Sequence, residues 1–368
     1  MIHRSCTTRR RRYHAPLTPN GAASPLALLA FLCSLFLVFG CAPKVETDPH
    51  RPKGTWTRLA NMPTSRYALC AATIDGKLYV VGGERAAFWY FEQNVLERYD
   101  PETGAWEHLA NMPTRRYDMA AAVLDGKLYV VGGTNNTTEL STLERYDPAT
   151  NSWERLASMP TARRCLAAAA INGQLYAVGG YHGGNHTGAL ERYDPETDTW
   201  ERLARMPTPR ANLAAGAIDD QLIAAGGDGG VHVLEYYDPV SNTWGDLAPL
   251  PLPRASIAAA VLDGRLYAVG GENGQHLLER YDPKANFWNL LPDMPTGRIK
   301  PAAAAIDGHL YVVGGRSWFS SKNTLERYTP GAPGEDLRQR PVEPPPLIST
   351  EPPEPFENPP RQPGRTMP

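Results

Sequence analysis

The sequence predicts an all-β fold, a closed ring of six four-stranded units, and three observations predict it. Six diglycines, Gly82-Gly83, Gly132-Gly133, Gly179-Gly180, Gly226-Gly227, Gly270-Gly271 and Gly314-Gly315, each close a run such as GKLYVVGG and recur every 44 to 50 residues, a period typical of propellers and solenoids. Six tryptophans, Trp56, Trp106, Trp153, Trp200, Trp244 and Trp288, stand in one register within segments such as GTWTRLANMPT and DTWERLARMPT. The two series are out of phase. The first tryptophan segment, starting at Gly54, is the end of a unit, whereas the last unit passes through LERYTP into a proline-rich stretch without a tryptophan. Residues 55–60 therefore supply the missing fourth strand of the last unit, closing the ring so that first and last blades leave no unpaired edge between them. The predicted architecture is a six-bladed β-propeller over residues 54–330, its last blade completed by the N-terminal strand.

Each element within a unit has its own signal. Strand a follows an arginine and is rich in alanine, as in RYDMAAAVLDG; strand b is the alternating KLYVV run, strand c is LERYD and strand d is WERLA. Between a and b stand Asp75-Gly76, Asp125-Gly126, Asn172-Gly173, Asp263-Gly264 and Asp307-Gly308, dipeptides that accept the positive φ of a two-residue hairpin, with Asp219-Asp220 the one departure. Between c and d stand DPETG, DPATN, DPETD, DPVSN and DPKAN, where proline presets φ and Gly, Asn or Asp takes a left-handed position. Sheets radiating from one axis are crowded at the centre, so alanine fits strand a and tryptophan fills the wider space outside.

The regions outside the repeats differ in chemistry. Residues 1–40 hold Arg4 and the run Arg9 to Arg12 with no acidic residue, then an apolar stretch in SPLALLAFLCSLFLVFGCAPK. That stretch falls short of the roughly 20 residues a spanning helix needs, and after a basic segment it reads as an export signal. Its end, LVFGC, resembles a bacterial lipobox, which implies lipidation of Cys41, with an uncleaved signal anchor as the alternative. The expected location is outside the cytoplasm, on a membrane of a bacterial cell envelope. Residues 41–53 form a linker, and 331–368, rich in proline and acid, an extended disordered tail. A net charge of -2 gives no electrostatic reason to expect nucleic acid as a partner. Cys6, Cys33 and Cys41 fall in the export region, so Cys70 and Cys165 are expected as unpaired thiols.

The diglycines, the LDGKLYVVGG pattern, the YDP turns and the spaced tryptophan together resemble kelch repeats over residues 54–330. The resemblance is specific for fold and poorly specific for function, because kelch propellers include protein-binding, sugar-binding and catalytic members. Internal comparison locates a variable surface. From each tryptophan to the first glycine of the next diglycine the offset is always 26, and from the strand-c leucine to the following tryptophan always 10. From the second glycine to that leucine it is 13, 10, 10, 7, 7 and 10 in blades one to six. Length varies only in the b–c loop, which shares a face with the d–a connections; kelch relatives also use that face.

Residues that recur in every blade read as structural: Arg66, Arg116, Arg163, Arg210, Arg254 and Arg298 to bond loop carbonyls, with Glu97, Glu144, Glu191, Glu235, Glu279 and Glu326 as possible partners. Positions that differ from blade to blade are the candidate ligand residues. Two after each arginine stand Ala68, Asp118, Cys165, Asn212, Ser256 and Lys300, and just after each diglycine Glu84, Thr134, Tyr181, Asp228, Glu272 and Arg316. In kelch relatives equivalent positions commonly line the ligand pocket, and this polar set suits a sugar or an acidic peptide. The loops ERAAFWYFEQN and RSWFSSKN, carrying Trp89 and Trp318, predict an aromatic contact patch between neighbouring blades one and six. His182, His186, His232 and His276 with Asp228 and Glu272 are a weak metal signal. No metal or cofactor is expected. The resulting expectation is a monomeric binding module for a partner protein or glycan. The alternative is a sugar-modifying enzyme, since exported kelch propellers include a sialic acid mutarotase and the mouth carries both carboxylates and cations.

Overall fold

The computed structural model describes residues 54–86, 90–228, 232–317 and 320–331. The export segment with Cys41, the linker before residue 54 and the proline-rich tail beyond 331 lie outside the described residues. Six antiparallel four-stranded sheets form the blades. Blade one comprises Cys70–Ile74, Lys77–Val81, Leu96–Asp100 and Ala105–His108; blade two Ala120–Leu124, Lys127–Val131, Leu143–Asp147 and Ser152–Leu156. Blade three is Ala167–Ile171, Gln174–Val178, Leu190–Asp194 and Thr199–Arg202, and blade four Ala214–Ile218, Gln221–Ala225, Leu234–Asp238 and Thr243–Leu247. Blade five is Ala258–Leu262, Arg265–Val269, Leu278–Asp282 and Phe287–Leu291. Blade six is Ala302–Ile306, His309–Val313 and Leu325–Pro330, completed by Gly54–Arg58. Among the described residues there is no helix.

The closing strand lies where the phase of the repeats puts it. Gly54–Arg58 pairs antiparallel with Leu325–Pro330, Trp56 opposite Tyr328, and Trp56 Nε1 donates to the Pro292 carbonyl of blade five at 2.9 Å. It begins one residue before the expected 55–60, and beyond Arg58 the ladder persists as a single bond from Leu59 N–H to the Leu325 carbonyl at 3.0 Å.

The core is divided among the seams. Each hydrophobic cluster joins strand-b and strand-c residues of one blade to the alanine strand of its neighbour, as where Leu78, Val80 and Tyr99 of blade one meet Ala302, Ala304 and Ile306 of blade six. Alanine on the inner strand lets adjacent sheets approach at interior packing density. The hairpin turns hold Asp75, Asp125, Asn172, Asp263 and Asp307 at φ of 47 to 51°. The divergent Asp219-Asp220 pair takes the same turn with both residues at positive φ, a conformation that asparagine and aspartate tolerate best after glycine.

The arginines lock each blade from within. Arg116 is fully buried; it donates to the carbonyls of Gly132 at 3.1 Å, Thr142 at 2.9 Å and Val130 at 3.1 Å, and pairs with Glu144 at 2.8 Å. Glu144 takes a further bond from the Thr114 hydroxyl at 2.6 Å. All six arginines pair in this way with the six glutamates of strand c. Burial pushes the Arg116 guanidinium down to about 10, and even there it stays charged at neutral pH. The arginine backbone meanwhile joins blades: the second glycine of each diglycine donates to the arginine carbonyl of the next blade, as Gly133 to Arg163 at 2.8 Å. A Cβ on Gly132 would lie 2.8 Å from that same carbonyl, at φ 67°, so this approach requires glycine.

Candidate functional site: the channel mouth and the loop-face clefts

On the face of the b–c and d–a loops, the chain turns into the central channel at the residues two after each arginine. All six are left-handed, with φ of 50 to 59°: Ala68, Asp118, Cys165, Asn212, Ser256 and Lys300. The cause is a closed circle of backbone bonds around the channel. Asp118 N–H donates to Ala68 (3.0 Å), Cys165 to Asp118 (2.7 Å), Asn212 to Cys165 (2.8 Å), Ser256 to Asn212 (2.8 Å), Lys300 to Ser256 (3.0 Å) and Ala68 back to Lys300 (3.1 Å). Each blade thus hands one amide to its predecessor, and the strained φ is the geometry that aims it.

The side chains at this mouth satisfy one another. Lys300 Nζ donates to Asp118 Oδ1 at 2.6 Å, spanning blades six and two, and lies 3.7 Å from Cys165 Sγ. Burial pushes the Lys300 ammonium down, but Asp118 beside it outweighs that and holds it above its ordinary value. Burial, with Asp118 adding to it, pushes the Cys165 thiol up to about 12, which keeps it neutral and unreactive at neutral pH. On the blade four side, Tyr181 Oη at 2.6 Å and Asn212 Nδ2 at 2.8 Å both donate to Asp228 Oδ2. His186 stacks on Tyr181 with ring centroids 4.7 Å apart.

Glu84 is buried and takes the hydroxyl of Tyr67. Burial raises its carboxyl above the usual range, with the Tyr67 bond opposing. Ser256 donates to Glu272 at 3.3 Å and Thr134 to the Thr138 carbonyl at 2.9 Å. The well enclosed by the mouth residues measures about 90 Å³, room for roughly three waters.

Larger spaces lie off the axis, between neighbouring loops. One cleft of about 640 Å³ at blades five and six is lined by Glu272, Gln275, His276 and Arg316 over an apolar floor of Leu252, Leu277 and Ile299. The Arg316 guanidinium sits 5.1 Å over the Tyr67 ring, and its buried Nε has no partner among the described residues. A second cleft of about 650 Å³, at blades two and three, presents Tyr117, Thr137, Glu139, Arg164 and His182. Arg164 lies 4.9 Å over the Tyr181 ring and 3.7 Å from Glu139. Both volumes fall within the range of small-ligand sites.

Of the residues singled out from sequence, the structure gathers Asp118, Cys165, Asn212, Ser256 and Lys300 at the well. Glu84, Tyr181 and Asp228 form a second tier, and Glu272 and Arg316 turn toward the blade five–six cleft. Trp89 and Trp318 lie outside the described residues; Phe91, from the same blade-one loop, is 53% exposed. The histidines are dispersed among backbone partners. His182, His232 and His276 each engage a carbonyl through Nδ1, those of Ala162 (2.9 Å), Leu250 (3.2 Å) and Met294 (2.8 Å). Among the described residues no three His, Cys, Asp or Glu side chains converge on one point. Sequence reasoning missed Tyr67, Tyr117 and Glu139. The first two follow an invariant arginine directly, a position whose variation from blade to blade was there to be read.

A closed ring of radial four-stranded sheets, with short turns on one rim and unequal loops on the other, defines a repeat propeller that presents a loop face. The profile described as the KLHDC2/KLHL20/DRC7 Kelch-repeats domain matches residues 51–227 and 111–271, and the Kelch motif matches 253–295. The chain belongs to the kelch-repeat family. Its fold is similar to a solved structure titled "Structure of YjhT" (TM-score 0.63, 18% identity), covering 73% of this chain and 95% of that one. A search of curated proteins gave no match.

Proposed function

We propose that the chain is a binding module that takes a partner protein or a glycan in the inter-blade clefts of its loop face. One observation carries this reading. The polar groups of the axial well are bonded to each other around a space of about 90 Å³, whereas the clefts beside it are about sevenfold larger and are lined by charged groups, Glu272 and Arg316 in one and Glu139 and Arg164 in the other. A well of that size does not seat a sugar ring while its side chains stay bonded to one another, so a ligand engages the loops around it.

A catalytic reading, sugar mutarotation or epimerisation, draws on Glu84 and Asp118. A raised carboxyl held by Tyr67 beside the Asp118–Lys300 pair is the kind of arrangement acid–base chemistry uses. It would need the mouth side chains to part before a substrate could reach them, and the binding reading needs no such step.

The deciding experiment presents the full chain to glycan and peptide arrays, then repeats the strongest hit with Arg316→Ala and Arg164→Ala. The expected result is a loss of at least roughly tenfold in affinity for one of them, the scale of a truncated binding hot spot, with an unchanged melting temperature. Binding indifferent to both substitutions would sink the cleft assignment, and sugar turnover abolished by Glu84→Gln would favour the enzyme.

A further inference from the structure

Four of the six seams carry a clasp that runs from a tight c–d turn to the residue following strand d of the preceding blade. In the blade one–two seam, Asn151, left-handed at φ 49°, accepts on one Oδ1 both the Tyr146 hydroxyl (2.8 Å) and the amide of Ala110 in the neighbouring blade (2.9 Å). Trp153 Nε1 returns a bond to the Ala110 carbonyl at 2.8 Å. Asp198, Asn242 and Asn286 repeat this arrangement on Ala157, Ala204 and Ala248. The clasp fixes the residues that follow each strand d, and so the outer strand of one blade is held by the next.

The two seams that hold the closing strand lack it. Between blades six and one the equivalent position is Gly104, so Trp106 Nε1 still reaches the Ala60 carbonyl at 2.9 Å but no side-chain oxygen among the described residues meets the Ala60 amide. Between blades five and six the position is Gly54, where a Cβ would come 2.1 Å from Tyr328 Oη. The residue it would clasp, Pro292, has no N–H to give. Gly54–Arg58 is also the one outer strand with no turn joining it to its strand c. A strand released from its partner there is not held nearby by a short loop, as the other five are.

We propose that the closing strand is a release point built into the ring: it undocks as a local unit while the other five blades and the three remaining strands of blade six stay folded. Undocking exposes the Leu325–Pro330 edge and breaks the Trp56–Pro292 and Trp106–Ala60 bonds, leaving the clasped seams untouched. Segments tied by fewer bonds open below the global unfolding free energy.

The test is native-state hydrogen exchange on the full chain. Amides of residues 55–59 should exchange at least tenfold faster than those of Ser152–Leu156, with little dependence on denaturant. Gly104→Asn supplies the missing oxygen at a position already at φ 70°, where an added Cβ meets nothing nearer than the Tyr99 hydroxyl at 3.9 Å. It should slow the closing strand roughly fivefold, the worth of one net hydrogen bond, and leave other strands unchanged. Asn151→Gly, which removes an existing clasp, should leave the closing strand's exchange unaltered. Equal rates for closing and covalently tied outer strands overturn the proposal, and so does a Gly104→Asn effect that is absent or uniform across all blades.

Discussion

The six arginines and the six residues two positions after each of them occupy the same places in every blade, yet the first set is invariant and the second is Ala, Asp, Cys, Asn, Ser and Lys. The arginine acts through its side chain, whose planar fork must reach several carbonyls and a buried carboxylate in a fixed arrangement. At the mouth the repeated contribution is made by the backbone, through the circle of amide-to-carbonyl bonds. Any residue able to accept a left-handed φ serves, and the side chain is left free. Invariance therefore marks what the ring needs, and variation marks where chemistry can change without opening it.

Substitutions at three sites test that contrast. The largest effect belongs to the arginine ring: Arg163→Met should cost about 3–5 kcal/mol, since it strips buried Glu191 of its guanidinium partner and leaves it only the Thr161 hydroxyl and a 3.7 Å contact with exposed Arg202. Adding Glu191→Leu should recover part of the loss, and denaturant unfolding of both variants measures the coupling. A single-variant loss below 1 kcal/mol would make the two rings equivalent. At the mouth, Lys300→Met should cost about 1–3 kcal/mol by stranding Asp118, whose side chain is 7% exposed. The backbone circle should survive, read as an unchanged circular dichroism spectrum with a lowered melting temperature.

The smallest effect is at Glu84. Because burial raises its carboxyl, the fold favours the protonated form. Its contribution is complete below the ordinary carboxylate value near 4.3 and fades as pH rises through the raised one. Glu84→Gln should therefore match the wild type within about 0.5 kcal/mol near pH 4 and gain on it toward pH 8. Unfolding midpoints at the two pH values check the direction, and a gap that closes as pH rises would reverse the assignment.

Much of the fold was legible because it is written six times. Two-residue hairpins, diglycines and the displaced first tryptophan segment each stated a local requirement, and repetition separated requirement from accident. The glutamates of strand c could be suspected as partners of the arginines but not paired with them, since the two lie 25 to 31 residues apart. The Lys300–Asp118 contact joins residues separated by 182 positions and exists only because the ring closes, so no local pattern announced it. The residue two before each tryptophan in the c–d turn was read for its φ alone. That it also fastens the neighbouring blade was visible as Asn or Asp in four units and glycine in two, a signal that made sense only once Tyr146 and Ala110 were seen to share one oxygen.

Gly54 faces Pro330 across the last sheet, at the end where strands c and d would be joined by a tight turn. Entry and exit of the wheel thus coincide, on the rim away from the irregular loops. A pull applied through residue 54 or residue 330 therefore meets the wheel at its outer edge, on the side opposite the irregular loops, as a dish is held by its margin from below.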